Sequence, residues 1–158
     1  MFHGVIMEWQ ENGILVCAHS GVGKTTHTRM WRDEEGARII NGDRGLCCKD
    51  GDTWYTYGAP WCGSSGEFMN KKIELKMIVI LEQAMDNKVV HLSPIKGALE
   101  LIQLAFAPTW EKELMDCCLA SIDDIVMNIP IVKLSCTPDL RAVEALKKEV
   151  IRLNKIIN

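Results

Sequence analysis

The chain has 158 residues, 47% of them apolar, which suits a single domain over residues 1–158 whose hydrophobic core needs neither disulfides nor a structural metal. With 18 Lys+Arg against 21 Asp+Glu, a formal charge of -3 and no basic cluster, nucleic acid is excluded as a partner. No apolar run approaches the roughly 18 residues of a bilayer span, and Met1-Phe2-His3-Gly4 does not read as a leader, so no membrane partner and a cytoplasmic compartment are expected.

Residues 4–10 and 13–18 are β-rich runs that meet at Asn12-Gly13, a pair suited to the positive φ angles of a tight hairpin turn. A glycine-rich loop, 19–23, leads into a helix over 24–33 ended by Gly36, and a short apolar strand, 38–40, runs into Asn41-Gly42-Asp43. A second hairpin, 45–49 with 52–57, turns at Asp50-Gly51, and residues 58–70 form an irregular loop. Residues 73–81 are the most apolar segment and read as a central strand, with 89–92 as its expected neighbour. Two helices follow, 95–106 and 111–127, the second with Leu114, Cys118, Ile122, Ile125 and Val126 on one apolar face. After a strand at 130–135, Thr137 is the expected N-cap and Pro138 the first-turn residue of a last helix, with Val143, Leu146, Val150 and Leu153 inward. The seven cysteines, an odd count without Cys-x-x-Cys, read as reduced and mostly buried thiols.

The segment Ala18-His19-Ser20-Gly21-Val22-Gly23-Lys24-Thr25 fits the P-loop pattern G-x-x-x-x-G-K-[ST], except that Ala18 stands at the first glycine. Gly21 and Gly23 let the backbone curl so that successive N–H groups face one anion at the positive end of the next helix. A chance match to the shortened G-x-G-K-[ST] in a chain of this length is on the order of one per cent or less. His19, Ser20, Gly21, Val22, Gly23, Lys24, Thr25 and Thr26 are therefore the expected binding residues for ATP, with Lys24 on the β- and γ-phosphates and the Thr25 hydroxyl on Mg²⁺. Asp43, at the end of a strand that should lie beside the loop, is the candidate catalytic acid. Glu67, in the loop after Gly66, is a candidate second metal ligand beside Thr25 and Asp43, and Arg44 a candidate phosphate clamp. His19 and His27 read as surface residues flanking the loop, Trp61 as a packed side chain, and Asp123-Asp124 as a solvated helix face.

From His3-Gly4-Val5 through the glycine loop to Arg38-Ile39-Ile40-Asn41-Gly42-Asp43-Arg44, the chain resembles the core of HPr kinase/phosphorylase, and more closely the small HPr-kinase-like proteins that include peptide serine kinases. Tyr57-Gly58-Ala59-Pro60-Trp61, Leu81-Glu82 and Cys136-Thr137-Pro138 extend the resemblance over most of the chain. It implies an α/β fold: a hairpin-initiated mixed sheet with a P-loop and flanking helices, related to ATP-dependent phosphoenolpyruvate carboxykinase. It also implies that Lys24 activates the γ-phosphate, that Asp43 takes the proton from a serine hydroxyl, that His3 lies near the phosphates, and that the protein is a homo-oligomer. Two departures stand out. Gly42-Asp43 replaces a pair of acids, and the segment that recognises HPr is absent after residue 60, which makes HPr an unexpected substrate. The expected function is a Mg-ATP-dependent kinase acting on a peptide or protein serine. The alternatives are an ATP-binding regulatory protein without transfer, and a carboxykinase-like enzyme, which the short chain disfavours.

Overall fold

The computed structural model describes residues 1–157. In chain order these form β1 (Phe2–Trp9), β2 (Asn12–Cys17), α1 (Lys24–Glu35), β3 (Arg38–Asn41), β4 (Arg44–Asp50) and β5 (Thr53–Tyr57), then a 3-10 turn (Gly63–Ser65). β6 (Lys72–Gln83), β7 (Lys88–His91), α2 (Pro94–Leu104), α3 (Lys112–Asn128), β8 (Ile131–Cys136) and α4 (Leu140–Ile157) complete the chain.

β2 and β6 are covered on both faces, which explains their nearly unbroken apolar sequences. They pair in parallel, and β6 pairs in parallel with β8 on its other side. β1 joins β2, β3 joins β1 and β7 joins β8, all antiparallel. The β4–β5 hairpin links the start of β1 to the start of β6, so the path β2-β1-β4-β5-β6 returns to β2. Alternate side chains divide the interior into two cores. Ile14, Val16, Met77, Val79 and Leu81 face α1 and α4 with Trp31, Val143 and Leu146. Leu15, Cys17, Ile78 and Ile80 face α2, α3 and the hairpin with Leu101, Ile122 and Trp54. Each fully buried aliphatic contributes roughly 1.5–3 kcal/mol, so the two cores carry the fold without cross-links.

The structure corrects several expectations. The first hairpin turns at Gln10 (φ 48°) and Glu11 (φ 63°), while Asn12 and Gly13 already belong to β2. The Asn12 amide holds the turn from outside by donating to the Trp9 and Gln10 carbonyls at 3.1 and 2.8 Å. Gly13 serves a different need, since a Cβ there would overlap the Glu74 carbonyl of β6. The neighbours of β6 are β2, β5 and β8, and β7 lies one strand further out. The last helix starts at Leu140, where Asp139 rather than Thr137 accepts the Arg141 amide at 3.0 Å. On α3, Ile122 and Ile125 are buried but Leu114 is 53% exposed, because the first turns of the helix overhang an open cavity of about 430 Å³. Asp124 is engaged as well: it accepts from Trp54 Nε1 and Lys49 Nζ, both at 2.8 Å, and so ties α3 to the hairpin. All seven cysteines are free, and only Cys17 and Cys136 are buried. Among the described residues, no helix is long and apolar enough to cross a membrane.

Candidate functional site

Where β2 ends, the chain enters the loop that sequence singled out. Gly21 and Gly23 have φ of +80° and +115°, angles at which a Cβ is strained, so both positions require glycine. Gly23 precedes α1 without a capping side chain, and the first turn of α1 holds no acid. The first backbone bond is His27 N to Gly23 O at 2.9 Å; among the described residues the amides of Gly21, Gly23, Lys24, Thr25 and Thr26 donate to no protein atom. Five free amides at the positive end of a helix form a site suited to an anion.

Lys24 is 7% exposed and turns back into the loop. Its Nζ donates to Ala18 O at 2.9 Å and His19 O at 3.3 Å, and lies 3.3 Å from His3 Nε2. His3 Nε2 is in turn 3.5 Å from Asp43 Oδ1. Burial first, and the Lys24 ammonium second, hold the His3 imidazole below its usual pKa. It is therefore neutral at pH 7 and can accept a hydrogen bond from Lys24. Burial also lowers Lys24, against the opposing pull of Asp43.

The position of Asp43 is fixed by backbone. β3 pairs with β1 and not with β2, so the acid does not reach the loop from an adjacent strand. Instead, Gly4 N donates to Asp43 O at 3.0 Å, while the buried Asn41 accepts from the amides of Asp43 and Arg44 at 2.9 and 2.7 Å. The same Asn41 side chain donates to Ala59 O and Trp61 O, at 2.6 and 3.3 Å, which anchors the 58–70 loop. Arg44 Nε holds Asp43 Oδ2 at 2.8 Å, and its guanidinium stacks 4.0 Å from the Phe106 ring centre.

These elements enclose a polar cavity of about 420 Å³ that collects His3, Ser20, Gly21, Gly23, Lys24, Thr25, Thr26 and Asp43. Glu67 lies outside that set: Arg32 holds its Oε1 at 2.8 Å and Arg29 its Oε2 at 3.4 Å. His19 is exposed beside Arg44 and Gln103 in an adjoining hollow. Trp61 does not pack; it is 67% exposed.

Gly42 has a local reason to lack a side chain. Its amide donates to Glu67 O at 3.0 Å, and a Cβ there would overlap the Ser65 hydroxyl. Introducing an acid by Gly42→Asp is expected to cost about 1–3 kcal/mol by overpacking. Ser65→Gly in the same chain should recover most of that loss, as read by urea denaturation; equal stability of the single and double variants would refute the clash.

Sequence reasoning missed a second hollow, of about 550 Å³, on the far side of the loop. It is lined by Val22, Met30, Leu81, Met85 and Pro138 beside Gly21 and Thr26. The signal was present in Cys136-Thr137-Pro138, which lies at its wall. Gln83, at the end of β6, donates to Val22 O at 3.1 Å and braces the loop from this side. His27, also at this wall, is 2% exposed and not a surface residue. Its Nε2 accepts from Trp31 Nε1 at 3.1 Å, its Nδ1 has no partner, and burial pushes its pKa down to about 4.

No family model matches the chain, and no curated protein does. Among solved structures it is similar to the HPr(Ser) kinase/phosphatase from Coxiella burnetii, with a TM-score of 0.55 and 8% identity over 97% of each chain. At that identity the likeness is one of fold: this chain is a mixed α/β protein whose sheet and four helices resemble those of that kinase/phosphatase.

Proposed function

We propose that this chain is a Mg-ATP-dependent phosphotransferase acting on a hydroxyl, with a serine of a peptide or protein as acceptor. The observation that carries the reading is the convergence of Lys24, His3 and Asp43 with five free amides at the start of α1, around one polar cavity. A triphosphate fits that set, since the free amides and the Lys24 ammonium are donors suited to its oxygens. ATP supplies the transferable phosphoryl group, and Mg²⁺ spreads its charge. Thr25, whose hydroxyl has no protein partner among the described residues, and Asp43 would be the protein ligands for the metal. Mg²⁺ commonly takes one or two carboxylates and completes its shell with phosphate oxygens and water, so Glu67 can remain with its arginines. Lys24 moves from Ala18 O to the phosphates, and the neutral His3 steadies its ammonium. Asp43 accepts the proton of the attacking hydroxyl, which is otherwise a weak nucleophile. The apolar hollow beyond Thr26 seats the nucleobase.

One observation favours a second reading, binding without transfer: the Ser65 hydroxyl fills the place an acid at position 42 would need. Titration calorimetry with Mg-ATP, run beside a γ-labelled transfer assay, separates the two. Lys24→Ala should weaken binding by roughly 10–100-fold, the worth of one charged hydrogen-bonding partner. Unchanged affinity in that variant would remove the loop from the nucleotide site. Tight binding by a wild type that labels no acceptor would favour the second reading.

A further inference from the structure

We propose that Ser64 is the chain's own phosphate acceptor, modified in cis within the cavity that holds Lys24 and Asp43. The inference rests on the kinase reading above. That cavity has two walls: the glycine loop with the first turn of α1 on one side, and Asp43 with Cys62, Ser64 and Ser65 on the other. The two serines of the second wall differ chemically. Ser65 Oγ is occupied, donating to Cys62 O at 2.6 Å and accepting from Glu67 N at 3.2 Å. Ser64 is exposed, and among the described residues its hydroxyl has no partner.

Ser64 also sits next to the base. The preceding Gly63 packs so closely on the acid that a Cβ there would lie 2.8 Å from Asp43 Cγ. Gly63 and Gly66 take φ of +59° and +68°, so the turn bends sharply on both sides of the two serines. Its approach is anchored through Asn41, which holds the carbonyls of Ala59 and Trp61 while fixing the amide of Asp43. One side chain thus ties the approach to the acceptor turn to the backbone of the base, and Gly42 N, donating to Glu67 O at 3.0 Å, holds the far side of the turn. A tethered hydroxyl held beside its base also has the advantage of high effective concentration.

In the step, Ser64 Oγ bonds to the γ-phosphorus as the bond from that phosphorus to the β,γ-bridging oxygen breaks. The products are ADP, phosphoserine at position 64 and one proton, which passes through Asp43 to solvent. The new dianion has a cation within the cavity, since Arg29 lines it and its bond to Glu67 is long, at 3.4 Å. Phosphate there occupies the space the next triphosphate needs, so labelling should stop near one phosphate per chain.

The test incubates the full chain with γ-labelled Mg-ATP, maps the site by peptide mass spectrometry, and measures ATP binding by calorimetry on the same preparations. The expected result is label on Ser64 in the wild type and in Ser64→Thr, none in Ser64→Ala, and a per-molecule rate independent of protein concentration over a tenfold range. Calorimetry on the labelled protein should show at least tenfold weaker ATP binding than before labelling. Wild type that binds Mg-ATP without gaining label overturns this inference alone, as does label on another residue or a rate that rises with protein concentration. Wild type that does not bind Mg-ATP overturns the kinase reading and this inference with it.

Discussion

Asp43→Asn is expected to lower phosphoryl transfer by about 10²–10⁴-fold, the usual worth of a positioned general base, while Mg-ATP affinity stays within about tenfold. The variant should keep its geometry. The main chain at this position is held by Gly4 N and by Asn41 Oδ1, and neither bond involves the carboxylate. The free amides of the loop and Lys24 are likewise untouched. What disappears is the carboxylate to which the proposed step assigns the hydroxyl proton. Arg44 also loses its charged partner at 2.8 Å, but it retains the Phe106 ring beneath it. The split is read by γ-labelled transfer beside calorimetry: full transfer by Asp43→Asn would remove the base role, and collapse of binding would mean that the acid serves mainly as a metal ligand.

The second large effect concerns stability in acid. The folded chain holds His27 neutral down to about pH 4, against 6.5 for the free side chain. Charging it would place a cation in a buried site and turn its Nε2 from the acceptor of Trp31 Nε1 into a second donor facing the first. Between pH 6.5 and 4 the unfolded chain therefore binds a proton that the folded chain refuses. Stability rises with pH in that window, and about 3 kcal/mol is lost from its top to its bottom. His27→Gln keeps an oxygen that can accept from Trp31 but does not titrate. Urea denaturation across the window should show a shallower decline for His27→Gln than for the wild type. Parallel declines would show that His27 is not the group responsible.

The parts of this structure legible in the sequence are those where local backbone demands a residue type. Gly21 and Gly23 announce positive φ, and the apolar runs of β2 and β6 announce strands covered on both faces. Lys24 and Asp43 are named by the motif and the strand end, and His3 by the family resemblance alone; the fold puts His3 Nε2 3.3 Å from Lys24 Nζ and 3.5 Å from Asp43 Oδ1. What stayed hidden depends on partners distant in the chain. Gly13 reads as a turn residue until β6 is seen to pass over it, and nothing local to β6 selects β2 and β8 over β7. His27 reads as a surface residue because the signal for its burial is Trp31, one helical turn on, whose indole points into the same core. Trp61 reads as a packing residue because its type favours burial, whereas the carbonyl bonds to Asn41 hold its backbone in place and leave the indole in solvent.

Asn41 has a consequence for how such a protein can change. Its single amide fixes the backbone of Asp43 and Arg44 through one end and that of Ala59 and Trp61 through the other. Neither end can be exchanged alone, since aspartate would lose the donor side and a smaller residue both. Exchange at position 41 would therefore loosen two segments at once, the turn at 41–44 and residues 59–61, whereas residues 67–69 keep a separate backbone tie through Gly42 N to Glu67 O and Met69 N to Ile40 O, both at 3.0 Å.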